Sequence, residues 1–261
     1  MQFLKDTGFL FLRLVRATFR MPIFLVIAIV QPILWVLLFG QLFSAVTTIH
    51  GFGGGAPAPP GSYVQFLAPG IAIMTALFSS AYSGMGLLGD IDRGVLDRML
   101  VTPVSRGALI AGRLLHASAL VVLQSGLILA VASLLGARPH GGVPGVLLTL
   151  LAAALLGAAF AGFSNALALV ARKQEMVIAV MNFVVLPMTF LSSMLMSGNL
   201  MPGWIRGASR FNPVHWAVTA ARDGFEGRTD DLALSFGLLV AFALLCLVLA
   251  TRSFERYRRS M

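Results

Sequence analysis

The sequence predicts an all-α membrane protein: a bundle of six transmembrane helices with both termini in the cytoplasm. Three observations carry that prediction. First, 58% of the 261 residues are hydrophobic and 11% are charged, with a mean hydropathy of +0.89. A soluble domain carries roughly 25% charged residues. This chain has too few charges to cover a water-facing surface, and lipid is the solvent that fits it. Second, six stretches reach the ~20 mostly apolar residues that a spanning helix needs. Third, Lys and Arg are distributed unevenly among the connections.

Residues 1–20 mix Phe3, Leu4, Phe9 and Leu12 with Lys5, Arg13, Arg16 and Arg20. They read as a basic amphipathic helix lying at the membrane surface. A cleaved signal peptide is the rival, but the apolar run after Pro22 exceeds the ~7–15 residues of such a segment, so a retained anchor is expected. The spans are expected at about 23–43, 64–88, 114–135, 146–170, 176–196 and 232–250. Residues 44–62 contain a Gly- and Pro-rich run without charge and read as a flexible loop. Residues 136–145 read as a short turn. Residues 197–231 hold Pro202, Trp204, Asn212 and Pro213, with an apolar stretch too short to span. They are either a plain loop or two short re-entrant helices, which require protein cover for their backbone. The re-entrant reading is adopted, with Trp204 and Trp216 suited to the interface.

Orientation follows from the cations. With six spans, the N-terminal segment, the second–third and fourth–fifth connections and the C-terminus share one side. That side holds 14 of the 19 Lys and Arg residues, which makes it cytoplasmic by the positive-inside rule. The net charge of +9 then orients the chain and meets anionic lipid; no nucleic-acid partner is expected. Cys246, the only cysteine, reads as a small apolar packing residue.

Several chemistries lack their signatures. There is no G-x-x-x-x-G-K-[ST] loop, so ATP binding by this chain is not expected. No metal spacing occurs, and the four histidines are scattered. The spans hold no convincing buried ionisable residue. An ion-coupled carrier would need one, together with an inverted repeat; a membrane enzyme would need convergent His, Asp or Cys. Gln31, Gln124, Asn165 and Asn182 suit interhelical hydrogen bonding. Energy for uphill transport would therefore arrive from another chain.

Residues 89–113 are the place for it to arrive. Asp92, Arg93, Asp97 and Arg98 alternate with Val95, Leu96, Met99 and Leu100, the pattern of an amphipathic helix. Thr102-Pro103 should end it. Such a helix between two spans either rests on lipid or transmits a push from a soluble partner; periodicity does not choose between them.

The run from Asp92-Arg93-Gly94 through Leu96, Asp97, Arg98 and Leu100 to Thr102-Pro103-Val104-Ser105-Arg106 resembles the cytoplasmic signature of ABC-2 type ABC transporter permeases. Val95 stands for the usual Thr and Asp97 for the usual Glu. Arg20-Met21-Pro22 through Gln31-Pro32 and Phe39-Gly40 is similar to the family's entry into its first span. Asn199 to Trp204, Phe211-Asn212-Pro213 and Ala220-Ala221-Arg222 are similar to its outer re-entrant segment. The resemblance implies a bacterial cell-membrane permease that is no enzyme on its own and binds no cofactor. It implies pairing with a second, identical permease and with two ATP-binding subunits that carry ATP and Mg. It also implies docking through the surface helix and the helix near Asp92, and a substrate path along the first, second and fifth spans.

Within the family the chain is most similar to drug and antibiotic exporters, with polysaccharide or teichoic-acid export as the alternative. Gln31, Trp35, Asn182, Phe183 and Phe190 are the candidates to face cargo; packing or lipid contact is the plainer reading of the rings.

Overall fold

A computed structural model describes residues 2–42, 62–100, 106–194, 201–229 and 231–259. The described residues form eleven α-helices and no strand. Four helical stretches are long and apolar enough to cross a membrane: Tyr63–Asp92, Gly107–Leu134, Gly142–Ala171 and Leu232–Tyr257. Two shorter apolar helices, Val26–Gly40 and Gln174–Phe190, lie at the first and fifth expected spans.

Helix α1 (Gln2–Phe19) is amphipathic, and α2 (Pro22–Leu42) follows after a two-residue break. Pro22 starts α2 at the position where its missing N–H costs nothing. The expected second span is two helices, α3 (Ser62–Ala81) and α4 (Ser83–Asp92), separated by a turn at Tyr82. The freed backbone groups there find partners. The Met85 amide donates to the Tyr82 carbonyl at 3.0 Å, and the Gly84 amide donates to Ser164 Oγ at 3.0 Å. Tyr82 also donates its hydroxyl to Asn182 Oδ1 at 2.7 Å. Side chains from neighbouring helices thus stabilise a break within an apolar span.

Helix α5 (Val95–Leu100) is short, and α6 (Arg106–Leu134) begins eight residues before the expected third span. Helix α7 (Gly142–Ala171) is the centre of the bundle and packs on α3, α4, α6, α10 and α11. Its small residues make that possible, because small side chains let membrane helices approach closely. A Cβ on Gly162 would lie 3.2 Å from the Cys246 carbonyl oxygen of α11, and one on Gly157 would lie 3.0 Å from Ser80 Oγ. Helix α8 (Gln174–Phe190) is followed by α9 (Gly203–Ser209), α10 (Pro213–Glu226) and α11 (Leu232–Arg259). The stretch between the fifth and sixth expected spans therefore contains two short helices. The expected loop at 44–62 lies outside the described residues except for Ser62, which opens α3.

Two apolar clusters mark the ends of the bundle. One gathers Leu87, Leu96, Leu109, Ile110, Leu114, Phe254 and Tyr257, with Leu10 against it. This end therefore carries α1, the α4–α5 corner, the start of α6 and the last turns of α11. The Arg172 guanidinium, at the α7–α8 connection, sits 4.8 Å from the centre of the Tyr257 ring. The regions that hold most of the cations thus meet at one end. The other cluster joins Tyr63, Val64, Leu67, Ile128, Leu129, Ala137 and Phe225.

Candidate coupling site

The α4–α5 corner is built on a glycine. Gly94 has φ +64, the left-handed region that favours glycine, and it redirects the chain from α4 into α5. The Arg98 amide donates to the Gly94 carbonyl at 3.3 Å. Leu96 is 1% exposed and anchors α5 in the apolar cluster. Asp92, Arg93 and Arg98 are exposed. Asp97 and Leu100 lie on the same helix. Thr102 and Pro103 lie outside the described residues, and Arg106 opens α6. The amphipathic stretch expected around Asp92–Leu100 is split: Asp92 closes α4, Arg93-Gly94 turns the chain, and α5 begins only at Val95, with Leu96 turned inward and Arg98 exposed.

Beside this corner stands a group of charges that corrects the expectation of no buried ionisable residue. Asp90, near the end of α4, is 7% exposed, and Arg113, on α6, is 8% exposed. Arg113 Nη2 donates to Asp90 Oδ2. Asp90 Oδ1 faces Arg13 of α1 at 3.4 Å and Arg93 at 3.8 Å. Arg13 also reaches Met99 of α5, its Nη1 lying 3.5 Å from Sδ. Both buried charges sit at span ends, where a sequence reading takes them for solvated flanking residues. The available signal was their opposite sign on either side of the amphipathic helix. Helix α1 is held against α6 by close packing: a Cβ on Gly112 would lie 2.9 Å from Leu10 Cβ. Thr18 Oγ1 and His116 Nε2 lie 2.9 Å apart.

The proposed path residues separate into two kinds. Gln31, Trp35, Phe183 and Phe190 lie exposed on the outer faces of α2 and α8, with Phe183 at 81%. Trp35 stacks on Phe39, ring centres 5.0 Å apart. Asn182 instead accepts the Tyr82 hydroxyl and ties α8 to the break in the second span.

At the opposite end, Asn212 caps α10. Its Oδ1 accepts from the Val214 amide at 2.9 Å, and its Nδ2 donates to the carbonyls of Met188 and Leu191. Pro213 takes the first helical position. Pro202 precedes α9, and Trp204 is exposed. Arg222, counted from sequence as a connection cation, is buried. Its guanidinium lies 3.8 Å from the Phe66 ring centre and donates to the Met194 carbonyl at 2.9 Å. His215 lies 3.0 Å from Ser193 Oγ. Burial, and then the Arg222 charge, lower the His215 pKa, which disfavours the imidazolium form. Among the described residues, no three His, Cys, Asp or Glu side chains gather as metal ligands would.

The geometry gathers α1, the α4–α5 corner and a buried Asp90–Arg113 pair at one end of the bundle. Residues 6–225 match the family described as ABC-2 type transporter. The daunorubicin resistance ABC transporter permease protein DrrB1 of Streptomyces coeruleorubidus is 29% identical over 85% of this chain and 77% of its own length. The inner membrane transport permease YadH of Escherichia coli strain K12 is 30% identical over 87% of both chains. The putative transport permease ycf38 of Cyanophora paradoxa is 31% identical over 84% of this chain and 74% of its own length. The chain belongs to the ABC-2 type transporter family and is a multi-pass membrane permease of an ABC transporter.

Proposed function

We propose that this chain is the permease of an ATP-driven exporter and works as a pair of identical permeases with two separate ATP-binding subunits. The observation that carries the reading is the α4–α5 corner. Leu96 fixes α5 to the bundle while Asp92, Arg93 and Arg98 stay exposed, so a partner that grips the charged face also grips the spans. In this reading α1 and α5 lie on the cytoplasmic side, where the positive-inside rule puts their cations. Six spans cross the bilayer, counting α2 and α8. Helices α9 and α10 are re-entrant from the outer side, α10 covered by α3, α7 and α11.

The exposed aromatic faces of α2 and α8 meet the second permease or cargo. The cargo is a drug or antibiotic of amphipathic character, in keeping with the name of the Streptomyces relative. ATP and Mg are held by the ATP-binding subunit.

The test is to co-express the chain with an ATP-binding cassette protein encoded beside it and to measure complex formation and ATP turnover. A stable complex is expected for the wild type, with strong weakening by Arg98→Glu and Asp97→Lys. Loss in Leu96→Asp would be uninformative about docking, since Leu96 is core. A complex that survives both charge reversals sinks the docking face; no complex at all sinks the subunit assignment. Daunorubicin accumulation in inverted vesicles tests the cargo separately.

A further inference from the structure

We propose that Arg13 is a positioning residue: with Asp90 it forms an ionic joint that makes α1 and the α4–α5 corner move as one lever. The proposal rests on the permease reading above and adds how two separate cytoplasmic helices would act together.

Helix α1 packs along α6 and beside α2. It reaches α4 and α5 through the long Arg13 side chain, while Leu10 touches the edge of the Leu96 cluster. One guanidinium thus spans both parts of the corner: Nη2 faces Asp90 on α4, and Nη1 faces Met99 on α5. The planar fork of arginine suits two partners at once, which the compact lysine ammonium does not.

Asp90 is a fixed anchor. Arg113 of α6 holds Oδ2 in a buried pair, which leaves Oδ1 to face outward to Arg13 and Arg93. The two outward partners differ. Arg13 is half-buried at 39% side-chain exposure, whereas Arg93 is 68% exposed, so the Arg13 contact is the less screened. Three guanidiniums around one carboxylate leave an excess of positive charge. Removing Arg13 therefore strands no buried charge, because Asp90 keeps Arg113. Removing Asp90 would strand Arg113. Arg13→Gln is accordingly the clean cut.

The experiment places an environment-sensitive fluorophore at Phe9→Cys, on the exposed face of α1; the native Cys246 is buried. The full chain is assembled with its ATP-binding subunit in vesicles of phosphatidylethanolamine and phosphatidylglycerol, and emission is followed on adding ATP. The labelled parent is expected to shift. Arg13→Gln should keep the ATP-binding subunit and lose most of the shift, and Arg13→Lys should keep part of it.

A full shift in Arg13→Gln overturns the joint. Release of the subunit by Arg13→Gln also overturns it, since Arg13 would then serve assembly. A labelled parent that turns over ATP without a shift excludes α1 from the moving body. Failure of the unlabelled wild type to hold the subunit would instead refute the permease–ATPase reading on which the joint depends.

Discussion

Each end of the bundle buries an arginine, and the two are satisfied in different ways. Arg113 meets the carboxylate of Asp90, with two further guanidiniums on the same group. Arg222 meets the Phe66 ring and a backbone carbonyl. Their surroundings differ as well. Around Arg222's helix the backbones are pressed together through glycine: a Cβ on Gly145 would lie 2.2 Å from the Gly224 carbonyl oxygen, and the Gly141 amide donates to the Phe225 carbonyl at 3.0 Å. At the α1 end the helix also lies close on α6 at Gly112, but its link to α4 and α5 is a long arginine side chain reaching across. Backbone packing does not re-form easily once displaced, whereas half-exposed ion pairs exchange at little cost. The comparison assigns rigidity to the α10 end and adjustable linkage to the joint between α1 and the α4–α5 corner.

Four substitutions would break or sharpen that contrast, each read as thermal or denaturant unfolding of the solubilised protein. Asp90→Asn should have the largest effect. It leaves Arg113 buried without its carboxylate, a loss of about 3–5 kcal/mol, and Asp90→Leu with Arg113→Met should recover most of it. A small effect of Asp90→Asn would mean the corner is solvated. Next, Gly145→Ala should cost about 1–3 kcal/mol by forcing α7 away from α10. A neutral outcome would remove the claim of backbone-tight packing there. Phe66→Leu keeps an apolar neighbour but takes away the ring beneath Arg222, and should cost about 1–2 kcal/mol. Arg93→Gln should be the mildest, within about 0.5 kcal/mol, because its contact is long and exposed.

Much of this architecture was legible because lipid enforces simple rules. A spanning helix must be long and apolar, so α6, α7 and α11 stand at their expected places, displaced mainly at their ends, while α2 and α8 hold shorter apolar helices at the first and fifth expected positions. Helix α6 starts earlier because Gly107 and Gly112 pack against α1, a tertiary contact that no local pattern carries. Helix α11 runs beyond the apolar stretch to Arg259, with Phe254 and Tyr257 buried in the end cluster.

The amphipathic character of α5 was legible from its spacing, but the turn at Gly94 that separates it from α4 was not. The break at Tyr82 was not, since its stabilising groups, Ser164 and Asn182, come from distant helices. The Asp90–Arg113 pair was missed for a similar reason: a charge at a span end looks the same whether it faces water or a partner. Asn182 was named both for interhelical hydrogen bonding and as a path candidate; its bond from Tyr82 is an interhelical one.

The central claim is that the end bearing α1 and α5 faces the cytoplasm and docks the ATP-binding subunit. Single cysteines at Arg98→Cys, on α5, and Arg138→Cys, at the opposite end, test it most directly in intact cells. A membrane-impermeant maleimide should label position 138 and spare position 98. In inverted vesicles the pattern should reverse, and a bifunctional reagent at position 98 should cross-link the ATP-binding subunit. Labelling of position 98 from outside intact cells, or cross-linking of the subunit from position 138, would contradict the account.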